Sequence, residues 1–220
     1  MHSSGADCVK LQTFKPESIT INSRKEDFIV KGGTLWDGQS LYELYKKAYT
    51  PWEWHKQLFD VAKEEGLVCF SSPFDKTSVD FLESLNTPAY KIASFEITDI
   101  PLIEYVACKM KPIIISTGIA SLEDIELALD ACRRVGNNEI ALLKCTSSYP
   151  APINEANMCM VKDLAERFDV ITGLSDPFNK CSLNNGRSSG HALGTHVFLS
   201  GSNDIGVNDF LPLAGSVRFI

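Results

Sequence analysis

Short apolar runs recur along this chain, and each gives way at its C-terminal end to hydroxyl-bearing or charged residues. The runs are Val9-Lys10-Leu11-Gln12-Thr13-Phe14, Val68-Cys69-Phe70-Ser71-Ser72-Pro73-Phe74, Ala89-Tyr90-Lys91-Ile92-Ala93-Ser94-Phe95-Glu96, Ile113-Ile114-Ile115-Ser116-Thr117-Gly118, Ile140-Ala141-Leu142-Leu143-Lys144-Cys145-Thr146-Ser147 and Val170-Ile171-Thr172-Gly173-Leu174-Ser175-Asp176. Their shortness and apolar content predict strands. Between them apolar residues repeat at helical spacing, which predicts helices over 52–63, 79–85, 101–110, 125–135 and 158–167 and a tyrosine-rich one over 41–49. Pro51 suits the first turn of one helix, and Ser121 with Asp124 reads as a capping box for another. Gly136-Asn137-Asn138 is a stop signal, because these residues tolerate the left-handed turn that ends a helix.

Strands separated by helices imply βαβ units and a parallel sheet. Both an open doubly wound sheet and a closed (β/α)8 barrel have that period. No Gly-x-Gly-x-x-Gly follows any strand, which weakens the dinucleotide-binding form. Polar residues end every strand, as in barrels that draw their working groups from strand ends on one face. The fold expected is therefore α/β of the barrel type.

Composition narrows the partners. At 220 residues and 44% apolar content the chain can build a sizeable core, and its formal charge of −7 argues against a nucleic-acid partner. An anionic ligand must be held by a local cluster of cations. Seven cysteines are scattered without a C-x-x-C pair, which suggests reduced thiols in a cytoplasm and neither a zinc site nor a disulfide framework. No signal peptide opens the sequence and no run is long enough to span a bilayer, so a soluble protein without a membrane partner is expected.

If Lys10, Ser72, Lys91, Ser94, Ser116, Ser147 and Ser175 meet at one barrel mouth, they supply two ammonium groups and several neutral donors to a small acid or phosphate. A single serine at a strand end ordinarily only bonds nearby backbone. A lysine inside an apolar strand is costlier without a partner. His55 among aromatics reads as a packing or surface histidine, the stripe Trp52, Trp54, Phe59 as core or interface, and Glu64-Glu65 and Glu123-Asp124 as solvated faces.

These residues together resemble the sialic acid synthase family, which joins phosphoenolpyruvate to an N-acetylated amino sugar. The likeness rests on the 5–17 stretch around Lys10, on Phe70-Ser71-Ser72-Pro73-Phe74-Asp75, Tyr90-Lys91-Ile92-Ala93-Ser94, Ile115-Ser116-Thr117-Gly118, Cys145-Thr146-Ser147-Ser148-Tyr149-Pro150 and Gly173-Leu174-Ser175-Asp176. Within the family, 35–45 and Tyr49-Thr50-Pro51-Trp52-Glu53-Trp54 are most similar to the pseudaminic acid synthase branch. The resemblance implies a (β/α)8 barrel followed by a small antifreeze-like domain, working as a homodimer. It implies a phosphoenolpyruvate cradle of Lys10, Ser72, Lys91, Ser94, Ser116, Ser147 and Ser175, with Tyr149 touching the amino sugar, a diacetamido-trideoxy-altrose or N-acetylmannosamine. Manganese or magnesium assists the aldehyde in the intact family.

The chain also departs from that pattern. Pro177 stands where the family has a metal-binding histidine, and no Glu-Lys-His motif occurs, although His191 and His196 are present. The expectation is a chain that binds no metal and is impaired as a synthase, with a partial barrel over 1–176 and a divergent remnant over 177–220 that lacks the first strand and the antifreeze-like domain. Unpaired sheet edges are expected to make it marginally stable. Two alternatives stay open: a phosphoenolpyruvate-binding module without chemistry, and an aldolase using Lys91 or Lys144 as a Schiff base.

Overall fold

Six parallel strands follow one another in chain order: β1 (Cys8–Thr13), β2 (Val68–Pro73), β3 (Tyr90–Ile92), β4 (Ile113–Ser116), β5 (Ile140–Cys145) and β6 (Ile171–Asp176). The computed structural model describes residues 6–31, 36–147 and 156–176, and the backbone alone of 196–200 and 218–219. The ring is closed by β7 (His196–Ser200), antiparallel to β6, and by β8 (Arg218–Phe219), which pairs antiparallel with β7 and parallel with β1. A (β/α)8 barrel is parallel throughout. The departure falls beyond β6, where the sequence pattern of strand and helix also breaks off. Both edges expected to be unpaired, those of β1 and β6, have neighbours, although β1 meets β8 only at Cys8 opposite Phe219.

The connecting helices are α1 (Pro16–Ile19), α2 (Leu41–Ala48), α3 (Trp52–Glu64), α4 (Lys76–Ser84), α5 (Ile100–Ala107), α6 (Leu122–Arg134) and α7 (Cys159–Phe168). Helix α6 starts on the expected capping box: Ser121 Oγ accepts from the Asp124 amide at 3.2 Å, and Asp124 accepts from the Ser121 amide at 2.8 Å. Past its end Gly136 takes φ +88°, the left-handed turn that glycine enters without steric cost. Asn137 beside it is buried and donates to the Lys111 carbonyl at 2.9 Å, which ties the helix end to the start of β4.

Two apolar layers use the two faces of the sheet. Tyr90, Ile92, Ile113, Ile115, Ile140 and Leu142 face outward and pack under the helices with Val79, Leu82, Ile103, Val106, Ile125 and Leu129. Cys8, Phe70, Ala89, Ile114, Ala141 and Leu143 face inward and fill the ring. Successive side chains on a strand point to opposite faces. Counting by twos from the inward set therefore puts Lys10, Ser72, Lys91, Ser116 and Cys145 inside. The same count puts Lys144 outside, since its neighbours Ala141 and Leu143 alternate with the outward Ile140 and Leu142.

His55 is a packing residue, fully buried between α3 and the strands. Its Nδ1 donates to the Pro51 carbonyl at 3.1 Å, so Nε2 is the acceptor for the Thr13 hydroxyl at 2.8 Å, and Thr13 in turn lies 2.7 Å from the Ser71 hydroxyl. Burial lowers the pKa of the ring and keeps it neutral, as this donor pattern requires. Of the aromatic stripe, Trp52 stacks on Phe81 with centroids 4.5 Å apart, Phe59 packs against the core and Trp54 is exposed. The tyrosine-rich α2 meets the end of β1 through Tyr45, edge-on to Phe14 at 5.8 Å. One strand is shorter than its sequence suggests. The run 89–95 makes only Tyr90–Ile92, after which Ser94–Thr98 winds into a 3-10 turn.

Candidate anion-binding site at the strand ends

Lys91 sits on the inner face of β3 and is only 8% exposed. Burial lowers the pKa of its ammonium, with Cys145 and Glu96 acting in the opposite direction. Lys10, two strands away, is pushed down to about 7, first by burial and second by the Lys91 ammonium. Two cations that repel each other in a low-dielectric pocket are an unfavourable arrangement for the protein alone. An anion with two charges placed between them relieves both repulsion and desolvation.

Serine hydroxyls share the inner face with this pair. Ser72, at the end of β2 opposite the β1 rim, and Ser116, at the end of β4, are essentially inaccessible, and neither hydroxyl has a hydrogen-bond partner among the described residues. A buried hydroxyl left unsatisfied costs about 1–3 kcal/mol. Two such hydroxyls on the inner face of β2 and β4 make this face a candidate for an outside acceptor. Ser175 is buried on β6 and pairs in register with Cys145. Ser94 and Ser147 converge from two different strand ends: their hydroxyl oxygens lie 2.9 and 2.3 Å from the point where a Cβ on Gly118 would stand. Thus the register gathers Lys10, Ser72, Lys91, Ser116 and Ser175 on one face, and Gly118 gathers Ser94 with Ser147. Tyr149, Pro177 and His191 lie outside the described residues, and only the backbone of His196 is described.

Lys144 is removed from the pocket. It is buried on the outer face, where its ammonium donates to the Thr146 hydroxyl at 2.6 Å. Glu96, the carboxylate that ends the 89–96 run whose polar residues are expected to point at a ligand, interacts with Lys91 but has no named role in the expected cradle. Its Oε2 is buried without a hydrogen-bond partner among the described residues, and burial raises the pKa of the carboxyl while Lys91 opposes that shift. The 3-10 turn sets the direction of Glu96: after Ile92 the period is no longer two, and strand alternation alone would turn it away from Lys91. The Lys91-x-x-Ser94-x-Glu96 spacing was the available signal.

A divalent cation does not fit the described part of the mouth. Manganese and magnesium take carboxylate, carbonyl and water oxygens, whereas here ammonium and hydroxyl donors dominate. No group of three His, Cys, Asp or Glu side chains is placed to hold a metal among the described residues. All six described cysteines are free thiols, and burial holds those of Cys8, Cys69 and Cys132 up at about 12. No described helix is long and apolar enough to cross a membrane.

A closed ring of strands, six of them parallel with ammonium and hydroxyl groups at their C-terminal ends, defines an α/β barrel with a cationic, hydroxyl-lined mouth. Within that class the chain belongs to the NeuB family, which it matches over residues 1–195. It is 54% identical over 173 residues to the pseudaminic acid synthase of Helicobacter pylori, covering 79% of this chain and 51% of that protein. It is 36% identical over 177 residues to the N,N'-diacetyllegionaminic acid synthase of Legionella pneumophila, covering 79% of this chain and 49% of that one. The chain thus spans about half the length of the curated relatives it matches. Among solved structures, the spore coat polysaccharide biosynthesis protein SpsE of Bacillus subtilis superposes with a TM-score of 0.65 at 32% identity, covering 80% of this chain and 46% of that one. The N-acetylneuraminic acid synthetase of Leptospira borgpetersenii shares the fold with a TM-score of 0.71 at 24% identity, covering 82% of this chain and 58% of that one.

Proposed function

We propose that this chain forms the phosphoenolpyruvate-binding barrel of a nonulosonic acid synthase, acting on an N-acetylated amino sugar of the pseudaminic type. The identity to pseudaminic acid synthase supports the choice of sugar class. In the reaction, C3 of phosphoenolpyruvate attacks the aldehyde carbon of the open-chain sugar and forms the new carbon–carbon bond. Water adds its oxygen to C2; one of its protons ends on the sugar's aldehyde oxygen, which becomes a hydroxyl, the bond between C2 and the phosphate's bridging oxygen breaks as the C2 ketone forms, and inorganic phosphate leaves with the other proton. The chain's own residues hold charge and move a proton. Lys10 and Lys91 neutralise the phosphate and carboxylate, and the hydroxyls of Ser72, Ser94, Ser116, Ser147 and Ser175 donate to their oxygens. Glu96, with its raised pKa and its place beside Lys91, accepts the proton of the attacking water. Tyr149 contacts the sugar. The family resemblance implies manganese or magnesium, but the described residues do not fit such an ion. Free thiols buried in the core suit a cytoplasmic site of action.

The observation that carries this reading is the placing of a half-buried and a buried ammonium group, Lys10 and Lys91, on one face with two buried hydroxyls that have no partner among the described residues. Calorimetric titration of the full chain with phosphoenolpyruvate, pyruvate and inorganic phosphate tests it. Phosphoenolpyruvate should bind more tightly than either fragment, because only it presents both charged groups. Equal affinity for phosphate alone would overturn the cradle. With the amino sugar added, phosphate release supports the synthase reading, and binding without release supports a module that only holds phosphoenolpyruvate.

A further inference from the structure

We propose that Gly118 is a positioning residue of this site, one whose missing side chain makes the gap in which the Ser94 and Ser147 hydroxyls close on one anionic group of the ligand. The inference rests on the anion-binding reading given above. Gly118 follows β4 in the loop at the barrel mouth, two residues past the buried Ser116. A Cβ at this position would stand 2.3 Å from Ser147 Oγ, 2.9 Å from Ser94 Oγ and 3.1 Å from Cys145 Cβ. Two of these three distances are shorter than real Cβ contacts allow, and both belong to the hydroxyls proposed to bind the ligand. The backbone itself does not demand glycine. Gly118 is not among the glycines with positive φ, which are Gly38, Gly66 and Gly136, so alanine can take its conformation.

These facts separate fold from site. The two clashing atoms are the tips of short side chains that turn about χ1, so alanine at 118 is accommodated by rotating both hydroxyls away. Beyond a small give at the Cys145 Cβ, 3.1 Å away on β5, the sheet, the helices and the inner core need not move. The hydroxyls then no longer point at a common acceptor, and the ligand loses two hydrogen bonds to a charged group. Sequence alone does not show this, because a glycine after a strand ordinarily reads as turn chemistry. Here its value lies in side-chain space and not in φ.

The test is a set of variants measured by thermal melting and by calorimetric titration with phosphoenolpyruvate, inorganic phosphate and pyruvate. Gly118→Ala should melt within a few degrees of the parent chain and bind phosphoenolpyruvate roughly 10- to 100-fold more weakly. Whichever of phosphate and pyruvate weakens alongside identifies the group the two hydroxyls hold. In a Ser94→Ala/Ser147→Ala background the same Gly118→Ala change should have little further effect, since the atoms it displaces are gone. A purely structural role would not produce that non-additivity. An unchanged affinity in Gly118→Ala, an additive loss in the triple variant, or a variant that fails to fold would each overturn the proposal. Failure of the parent chain to bind phosphoenolpyruvate would instead remove the anion-binding reading on which it rests.

Discussion

Replacing Lys10 by methionine should move stability and ligand affinity in opposite directions. In the folded chain this lysine gives up its proton at about 7 against 10.5 for an ordinary lysine. Between those values the unfolded chain binds the extra proton, so stability rises with pH across that window and the full penalty of burying the charge is felt below it. That difference sets a ceiling of about 4 kcal/mol on the penalty at neutral pH. Lys10 retains some solvent contact, which reduces the usable figure to roughly 1–3 kcal/mol. Methionine keeps the stem and removes the charge, so Lys10→Met should raise the melting temperature by roughly 2–10 °C in a domain of this size. It should also flatten the dependence of stability on pH between 7 and 10.5. Loss of one charge-assisted contact should weaken phosphoenolpyruvate binding by roughly 10- to 150-fold. Paired melts and titrations of the two chains across pH 6 to pH 9 give both quantities. A variant that melts lower and binds phosphoenolpyruvate as before would refute the placement of Lys10 in a shared anion pocket.

Ser116→Ala and Ser72→Ala each remove a buried hydroxyl that has no partner among the described residues; chemical denaturation should find them as stable as the parent or slightly more so, while titration finds affinity lowered by roughly tenfold. His55→Ala breaks the chain of bonds from Pro51 through Thr13 to Ser71 and should cost about 2–4 kcal/mol in urea unfolding. Because burial holds the folded His55 pKa below the ordinary 6.5, the parent chain should lose stability as pH falls below about 6.5, and the His55→Ala chain should lose less. Borohydride treatment with pyruvate should leave the mass of Lys91 and Lys144 peptides unchanged; an adduct on Lys91 would favour Schiff-base chemistry.

Much of the barrel is legible in the sequence because its strands are short, apolar and flanked by strong helix signals. Ser121 with Asp124 and Gly136 with Asn137 fix the ends of α6 by chemistry local to a few residues. What the sequence hides is the inside from the outside. In Ile140-Ala141-Leu142-Leu143-Lys144-Cys145 both faces are covered, by side chains within and helices without, so apolar residues run on without alternation. Lys144 and Lys91 therefore look equivalent until register separates them. The sequence marks Glu96 as a polar strand end but not its route: the chain leaves the strand at Ala93, and a 3-10 turn brings the carboxyl back toward Lys91. Gly118 carries no signal of its own, since what makes it matter is the position of two serines on other loops.

The most direct test of the shared anion pocket is the proton count on ligand binding. At pH 8 phosphoenolpyruvate is fully ionised, and Lys10, with a value near 7 in the free protein, is mostly neutral. Titrations in two buffers of different ionisation enthalpy should show uptake of about one proton per ligand bound. In Lys10→Met that uptake should shrink or vanish. Binding with no proton uptake in the parent chain, or with proton release, would contradict the claim that these buried ammonium groups receive the ligand's charge.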